Sequence, residues 1–217
     1  MTTTSPRTRL MLVTPPVLDP APFSFRLMQA FAGGDVAAVL LRLAPGDERS
    51  LTERVKALAG PVQAQSVALV VEASPQVVSR GGADGIHLTQ GADSIADARA
   101  SLKGERIVGA GGLRSRHDAM DVGEAGVDYV MFGEPRPDGS LPPLPAVVER
   151  ASWWAEIFET PCVAYCPDAA ALPELIETGA EFVALGDWVF AEGLDIRAAV
   201  TDADAAIAAR HARRSAR

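Results

Sequence analysis

The sequence predicts an α/β fold in which strands and helices alternate along a single domain that closes into a (β/α)₈ barrel. The chain has 217 residues, about the size of one α/β barrel of roughly 200–250 residues. A pattern of glycine, a small residue, an acid and a short apolar run recurs along it, and helix start signals fall between the apolar runs. These three observations together favour one barrel domain.

The recurring pattern marks buried parallel strands. In its copies the glycine suits the left-handed position that ends a helix, and the apolar run is too continuous for a half-exposed strand. Its copies, the first one looser than the others, lie at 34–41, 82–88, 126–133 and 179–186. Further apolar runs, which complete eight predicted strands, lie at 10–14, 66–71, 106–110 and 162–166.

Helices are predicted between these strands. Ser94 is predicted as the N-cap of 95–102, Ser115 as that of 116–124, and Asp168 as that of 169–178. Strand–helix alternation implies parallel strands with right-handed connections. Because the early Gly-x-Gly-x-x-Gly turn of a dinucleotide-binding sheet does not occur, the closed barrel is favoured over an open doubly wound sheet.

Charge and composition restrict the partners and the location. The 28 acidic and 20 basic side chains give a net charge of -8, which argues against nucleic acid as a partner. Residues 1–9 are polar and do not form a signal peptide, and no apolar run reaches the ~18–20 residues of a membrane span. We therefore expect a cytoplasmic protein with a flexible N-terminus at 1–9, a barrel at 10–208 and a basic, solvated C-terminal tail at 209–217.

Two further predictions concern the cysteines and the tryptophans. Cys162 and Cys166 lie in one predicted strand, about 13 Å apart at ~3.3 Å per residue, which is too far for a disulfide. Both are therefore expected to be free thiols. Trp153 and Trp154 are adjacent on a predicted helix and cannot both lie on one narrow apolar stripe. One is expected in the core, and the other is available to a partner subunit in a homo-oligomer.

Candidate site residues lie in the loops after the strands, where barrel active sites are found. Arg42 ends the second strand, where a guanidinium needs an anion, either a ligand or the nearby Glu72. Glycines after strands admit a ligand close to the backbone or serve turn geometry. His87 points to the opposite face of its strand from Ile86 and Leu88, as a packed or hydrogen-bonded histidine does.

The segments 83–90 (ADGIHLTQ), 107–111 (IVGAG) and 127–133 (VDYVMFG) resemble the thiamine phosphate synthase family and its thiazole tautomerase relatives. The first strand and the spacing of all eight units are similar too. The resemblance implies a (β/α)₈ barrel that joins a pyrimidine diphosphate to a thiazole phosphate, with Mg²⁺, and releases diphosphate. It implies as ligand contacts Arg42, Gln90, Gly111, Gly112, Gly133 and Arg136, and as metal ligands Glu72 and Asp93.

Several positions depart from the family's pattern. The lysine after the second strand is Ala44, and a serine-threonine-histidine segment after the fifth is 111–113 (GGL). The carboxylates of Glu72 and Asp93 are each displaced by one position. A glycine pair after the seventh strand is replaced by 166–167 (CP), whose proline has no N–H.

Asp187 adds a negative charge after the eighth strand, where the family holds phosphate, so the usual phosphate cradle is not expected there. Three hypotheses stay open: the family's transferase, a non-catalytic small-molecule binding or interaction protein of the same family, and another barrel activity in which the remaining carboxylates do acid–base chemistry.

Overall fold

A computed structural model of the chain describes residues 7–102 and 106–216, and these form a closed barrel of eight parallel strands. Each strand pairs with the next along the chain, and the last pairs with the first. The strands are β1 Arg9–Val13, β2 Val36–Leu41, β3 Ala68–Val71, β4 Gly85–Leu88, β5 Ile107–Ala110, β6 Tyr129–Phe132, β7 Cys162–Cys166 and β8 Phe182–Leu185. The predicted (β/α)₈ barrel is confirmed.

Helices follow the strands and cover their outer faces. Outward-facing strand residues such as Leu12 and Phe132 are buried in one cluster with helix residues such as Leu58 and Trp154. A short 3-10 helix, Asp187–Phe190, precedes the last α-helix. The α-helices are α1 Pro20–Phe31, α2 Glu48–Gln63, α3 Pro75–Gly81, α4 Ala92–Ser101, α5 Arg116–Glu124, α6 Leu144–Ile157, α7 Leu172–Leu175 and α8 Ile196–Ser215.

The predicted helix starts have three different outcomes. Ser115 caps α5 as predicted, in a capping box with Asp118. The prediction for Ser94 is wrong, because Gly91, with φ of 84°, turns the chain earlier and α4 begins at Ala92. Asp168 does accept a hydrogen bond from the Ala171 N–H. Its predicted role as N-cap of a helix over 169–178 is nevertheless wrong, because the helix is only α7 and its N-cap is Ala171. Pro173 has no N–H to give to the carbonyl of residue 169, so the helix cannot start there.

The predicted domain boundaries stay predictions, and the structure describes part of each chain end. Arg9 starts β1, and Arg7 forms a 2.5 Å ion pair with Asp204 of α8; residues 1–6 and 217 lie outside the described residues. Helix α8 continues to Ser215, and its residues 212–215 are exposed. Buried Arg210 donates to the Glu177 carbonyl at 3.3 Å, which attaches this end of α8 to the barrel.

The barrel interior holds its own small apolar cluster. Its buried members are Met11, Val13, Leu40, Val70, Tyr129, Met131, Val163, Tyr165 and Ala184. Both cysteines are buried and free, as predicted. Trp154 is fully buried, whereas the half-buried ring of Trp153 lies under the Arg116 guanidinium. Across residues 7–102 and 106–216, no helix is long and apolar enough to cross a membrane.

Candidate functional site

A cavity of about 770 Å³ opens at the C-terminal ends of the strands, on the side formed by β1 to β6. Apolar side chains of β1 and β2 form its floor, and charged side chains of the strand–helix loops form its walls. Its principal charged or polar lining residues are Arg42, Glu72, His87, Arg114, Arg116, Glu134, Arg136, Glu149 and Arg150. The geometry is that of a barrel active site, which lies at this end of the fold.

Arg42 is held at the mouth by buried Thr14 at the end of β1. The Thr14 hydroxyl accepts a hydrogen bond from the Arg42 N–H at 3.0 Å, and the Arg42 carbonyl accepts one from the Val17 N–H at 2.9 Å. The Arg42 side chain takes no part in these backbone hydrogen bonds. Its Nε lies 3.6 Å from Glu72 Oε2, so the ion pair that the sequence analysis raised as an alternative to ligand binding is present.

The β5–α5 and β6–α6 loops supply further cations. Arg114 and Arg136 are exposed and line the cavity. Arg116, the first residue of α5, pairs with Glu149 of α6. Arg150 donates to the carbonyls of Leu113 and Arg114 at 3.1 and 2.8 Å, which fixes α6 against the β5–α5 loop.

His87 and Tyr129 form a buried polar pair in the barrel interior. The Tyr129 hydroxyl and His87 Nδ1 are 2.8 Å apart, and their rings are stacked. Burial raises the pKa of Tyr129 far above its usual value, so the phenol keeps its proton. The other ring nitrogen, Nε2, is buried and has no hydrogen-bond partner among the described residues.

Glu134 places a carboxylate beside this histidine. Its Oε1 accepts a hydrogen bond from the Gly112 N–H at 2.6 Å and lies 3.7 Å from His87 Nε2. Only 14 % of the Glu134 side chain is exposed, so the carboxylate lies in the wall of the cavity and not in open solvent. The space it occupies exists because residue 111 is glycine.

A family model described as thiamine monophosphate synthase matches residues 10–188. The chain belongs to the thiamine monophosphate synthase family. A thiamine-phosphate synthase of Rhodospirillum centenum is 38 % identical over 196 residues, covering 89 % of this chain and 95 % of that protein. One of Erythrobacter litoralis is 37 % identical over 206 residues, covering 89 % and 92 %.

Solved structures show the same fold. Thiamine phosphate pyrophosphorylase from Pyrococcus furiosus superposes with a TM-score of 0.76 at 24 % identity, over 93 % of this chain and 96 % of that one. A 3-hexulose-6-phosphate synthase superposes with a TM-score of 0.70 at 16 % identity, over 90 % and 98 %. At these identities the likeness concerns the barrel alone.

In this member of the thiamine monophosphate synthase family, five of the eight predicted site residues line the one cavity: Arg42, Glu72, Gly112, Gly133 and Arg136. Gln90 lines two adjoining crevices instead, of about 560 and 320 Å³. Gly111 lines the smaller crevice and adjoins Glu134. The functional roles of all eight stay predictions.

The metal ligands implied by the family resemblance are not brought together. Glu72 lines the cavity, but Asp93 is an exposed residue of α4 that lines neither the cavity nor the adjoining crevices. Among the described residues, no three His, Cys, Asp or Glu side chains cluster as a metal site. Of the two implied metal ligands, only Glu72 lines the cavity. A single carboxylate is compatible with Mg²⁺, which is commonly held by one or two carboxylates together with substrate phosphates.

One charged residue of the site, Arg114, is absent from the candidates that the sequence predicts. Arg114 follows the glycines after β5, and Glu134 follows Gly133 after β6. Arg114 lies in a strand–helix loop, which is the signal that could have identified it. The two loops come close to each other because α5 and α6 pack side by side, and the sequence pattern does not specify that packing.

The β7 and β8 ends differ from the β1–β6 side. The Cys166 carbonyl accepts hydrogen bonds from the Gly186 N–H at 2.9 Å and from the Trp188 indole at 3.0 Å. The Gly186 N–H is thereby engaged within the protein, and Pro167 has none to offer. The absence of a backbone phosphate cradle at these strand ends stays a prediction.

Proposed function

We propose that the chain is a thiamine-phosphate synthase, which joins a pyrimidine diphosphate to a thiazole phosphate and releases diphosphate. The observation that carries the proposal is the cavity at the strand ends, where Arg42, Arg114 and Arg136 reach one space from three loops. Both substrates and the released product are anions, and guanidinium groups bind phosphoryl oxygens well. The named relatives support the choice of reaction.

Arg42 stabilises the departing diphosphate in this proposal. Negative charge grows on the diphosphate as its bond to carbon breaks, and a preorganised cation next to that oxygen lowers the barrier. Buried Thr14 holds the Arg42 backbone in place. The Arg42–Glu72 pair is partly exposed, and such pairs contribute only about 0–1 kcal/mol, so an arriving diphosphate can take over the guanidinium at small cost.

Glu72 is the residue that would hold Mg²⁺ together with the bound diphosphate. The ion, when bound, neutralises phosphate charge. Glu72 is suited to this role because its side chain is 44 % exposed and its only ion-pair partner among the described residues is Arg42. Asp93 is not part of this proposal, since it does not line the cavity.

Assays of the purified full chain with both substrates and Mg²⁺ test the proposal. We expect product from the parent protein and a fall of at least about tenfold in kcat/KM for Arg42→Ala, equal to ~1.4 kcal/mol of transition-state stabilisation. The matched control is Arg80→Ala, which removes an arginine of the α3 surface paired with Glu48. It should keep the parent's activity.

Calorimetric titration of the same proteins distinguishes the second candidate, a non-catalytic small-molecule binding protein of this family. One observation favours it: the Glu134 carboxylate already accepts a hydrogen bond from the Gly112 N–H at the cavity wall. Binding of either substrate with no turnover would support it over the synthase. Turnover that is equal in the parent and Arg42→Ala would remove Arg42 from the reaction.

A further inference from the structure

The Gly112 N–H and the Nε2 atom of His87, from neighbouring strand ends, both lie near one oxygen of Glu134. The Gly112 N–H, after β5, donates to Oε1 at 2.6 Å. His87 Nε2, in β4, lies 3.7 Å from the same oxygen. The histidine side chain is only 1 % exposed, so its nitrogen has little access to water as an alternative partner.

The hydrogen-bond pattern assigns the proton of His87. Tyr129 keeps its hydroxyl proton, and its oxygen lies 2.8 Å from His87 Nδ1. We assign the hydroxyl as donor and Nδ1 as acceptor, which leaves the proton of a neutral imidazole on Nε2. That N–H then faces the carboxylate. Tyr129 thus orients His87 as a donor toward the cavity wall.

Residue 111 makes the space for an oxygen at this point. A Cβ on Gly111 would lie 1.7 Å from Glu134 Oε1 and 2.6 Å from His87 Nε2. Any side chain here would therefore fill the place where the two donors meet. The glycine, the histidine and the Gly112 amide together border the place that Glu134 Oε1 occupies.

We propose that the Gly112 N–H and the His87 Nε2–H form an oxyanion site that Glu134 fills here and that accepts a phosphoryl oxygen when the carboxylate swings out. The inference rests on the proposed use of this cavity for phosphorylated substrates. Paired N–H donors aimed at one point are the usual means of binding an oxyanion in proteins. The Glu134 carboxylate supplies the same kind of oxygen from within the chain.

The carboxylate and a phosphoryl group compete, because both are negative and need the same donors. Two like charges ~4 Å apart repel by about 1 kcal/mol in water and about 4 kcal/mol near a protein surface. Glu134 therefore opposes every anion at this point, and a diphosphate displaces the carboxylate only because its contacts with the arginines offset that loss.

Titration calorimetry with inorganic diphosphate tests this site in the full-length protein. Glu134→Ala should bind about tenfold more tightly than the parent, because the competing charge and oxygen are both removed. Glu134→Gln should gain less, since its amide oxygen can still accept from Gly112. Adding His87→Ala to Glu134→Ala should reverse most of the gain.

Asp97→Ala is the control for net charge. Asp97 is exposed and lines the adjoining crevice at the same end of the barrel. Removing it changes the total charge by the same amount without freeing either donor. Circular dichroism of each variant checks that the fold is kept, and Glu134→Gln provides a nearly isosteric variant if the alanine form does not fold.

Either of two results would overturn the inference. One is diphosphate binding by Glu134→Ala that is no tighter than by Asp97→Ala. The other is full retention of the gain when His87 is also replaced, which would remove one of the two donors. Because inorganic diphosphate binding needs no turnover, these results are independent of whether the protein makes product in the substrate assay.

Discussion

Gly109 in β5 shows how one residue controls the barrel interior. A Cβ at this position would lie 2.0 Å from Tyr129 Cζ and 2.5 Å from its hydroxyl oxygen. The ring of Tyr129 therefore takes the volume that a side chain on β5 would need. Because Tyr129 also holds His87, the glycine contributes indirectly to the orientation of a residue in the cavity wall.

Gly109→Ala should destabilise the protein by about 1–3 kcal/mol or more, the usual cost of overpacking a filled core. Urea unfolding followed by circular dichroism measures the change. Gly60→Ala is the matched control, since a Cβ there meets nothing within 4 Å and the position lies within α2. We expect that control to be neutral or to stabilise by about 0.5–1 kcal/mol. Equal stabilities of the two variants would contradict the packing argument.

Residue-level prediction from the sequence succeeded where it rested on strand periodicity. His87 faces the opposite side from Ile86, as the alternation of side chains in a strand requires. The Arg42–Glu72 pair follows from the same rule applied at two neighbouring strand ends. The contact of Glu134 with Gly112 could not be predicted, because it depends on the path of two loops and on one side-chain rotamer.

The start of α5 is the clearest case of an element specified by its local sequence. Ser115 and Asp118 form a reciprocal capping box, in which Asp118 also accepts the Arg114 N–H at 2.9 Å. Partial burial raises the pKa of Asp118, but hydrogen bonds to its carboxylate from the backbone N–H groups of Arg114 and Ser115 and from the Ser115 side chain outweigh that effect and keep the pKa below its usual value. The same box fixes the backbone that carries Arg114 to the cavity.

Ser115→Ala should lower the free energy of unfolding by about 1 kcal/mol, as loss of an N-cap hydroxyl does. Ser94→Ala is the comparison, since Ser94 lies inside α4 and its hydroxyl donates to the Gly91 carbonyl at 2.7 Å. It should cost less than Ser115→Ala in urea unfolding at neutral pH. A larger loss at Ser94 would mean that the capping assignment of these two helices is wrong.

Strands were predicted better than helix starts. The glycine–acid–apolar pattern predicted its strands because a buried parallel strand needs an uninterrupted apolar run. At α4, the predicted start at Ser94 was wrong, because the backbone geometry of Gly91 turns the chain earlier. At α7, Asp168 was the predicted cap, but the helix begins only at Leu172, since Pro173 has no N–H to give to the carbonyl of residue 169.

At the scale of the whole molecule, burial within the folded protein keeps four weakly acidic side chains neutral. Burial raises the pKa of Tyr165 and of Cys166 to about 12 each. It raises the pKa of Tyr129 and of Cys162 still further. In the unfolded chain these groups ionise at about 10 for tyrosine and about 8.5 for cysteine.

Alkaline pH should therefore destabilise the fold. A group whose folded pKa is raised gives its full contribution below the unfolded pKa, and the contribution is lost as pH rises toward the folded pKa. Each of these groups should reduce the free energy of unfolding by about 1.4 kcal/mol per pH unit once its unfolded form ionises. Urea unfolding between about pH 8 and 11 measures this, and Tyr165→Phe should show a shallower decline above about pH 10. A free energy that stays constant over that range would contradict the expectation.

The architecture as a whole was predictable because eight similar units leave few ways to bury their apolar faces, and closing β8 onto β1 buries them all. The set of charged side chains that line the site was less predictable. The substitutions after β7 and β8 and Arg136 after β6 are visible in the sequence, whereas the place of Arg114 in the same cavity becomes apparent only when the loops are seen around it.

Arg116 connects that cavity to a chromophore. Its guanidinium lines the cavity and also lies 4.6 Å from the centre of the Trp153 ring. Indole emission responds to a nearby charge, so a ligand that draws Arg116 away from the ring alters the light that Trp153 emits. The protein thus carries an optical reporter beside its candidate site, with no label added, while fully buried Trp154 reports on the integrity of the core.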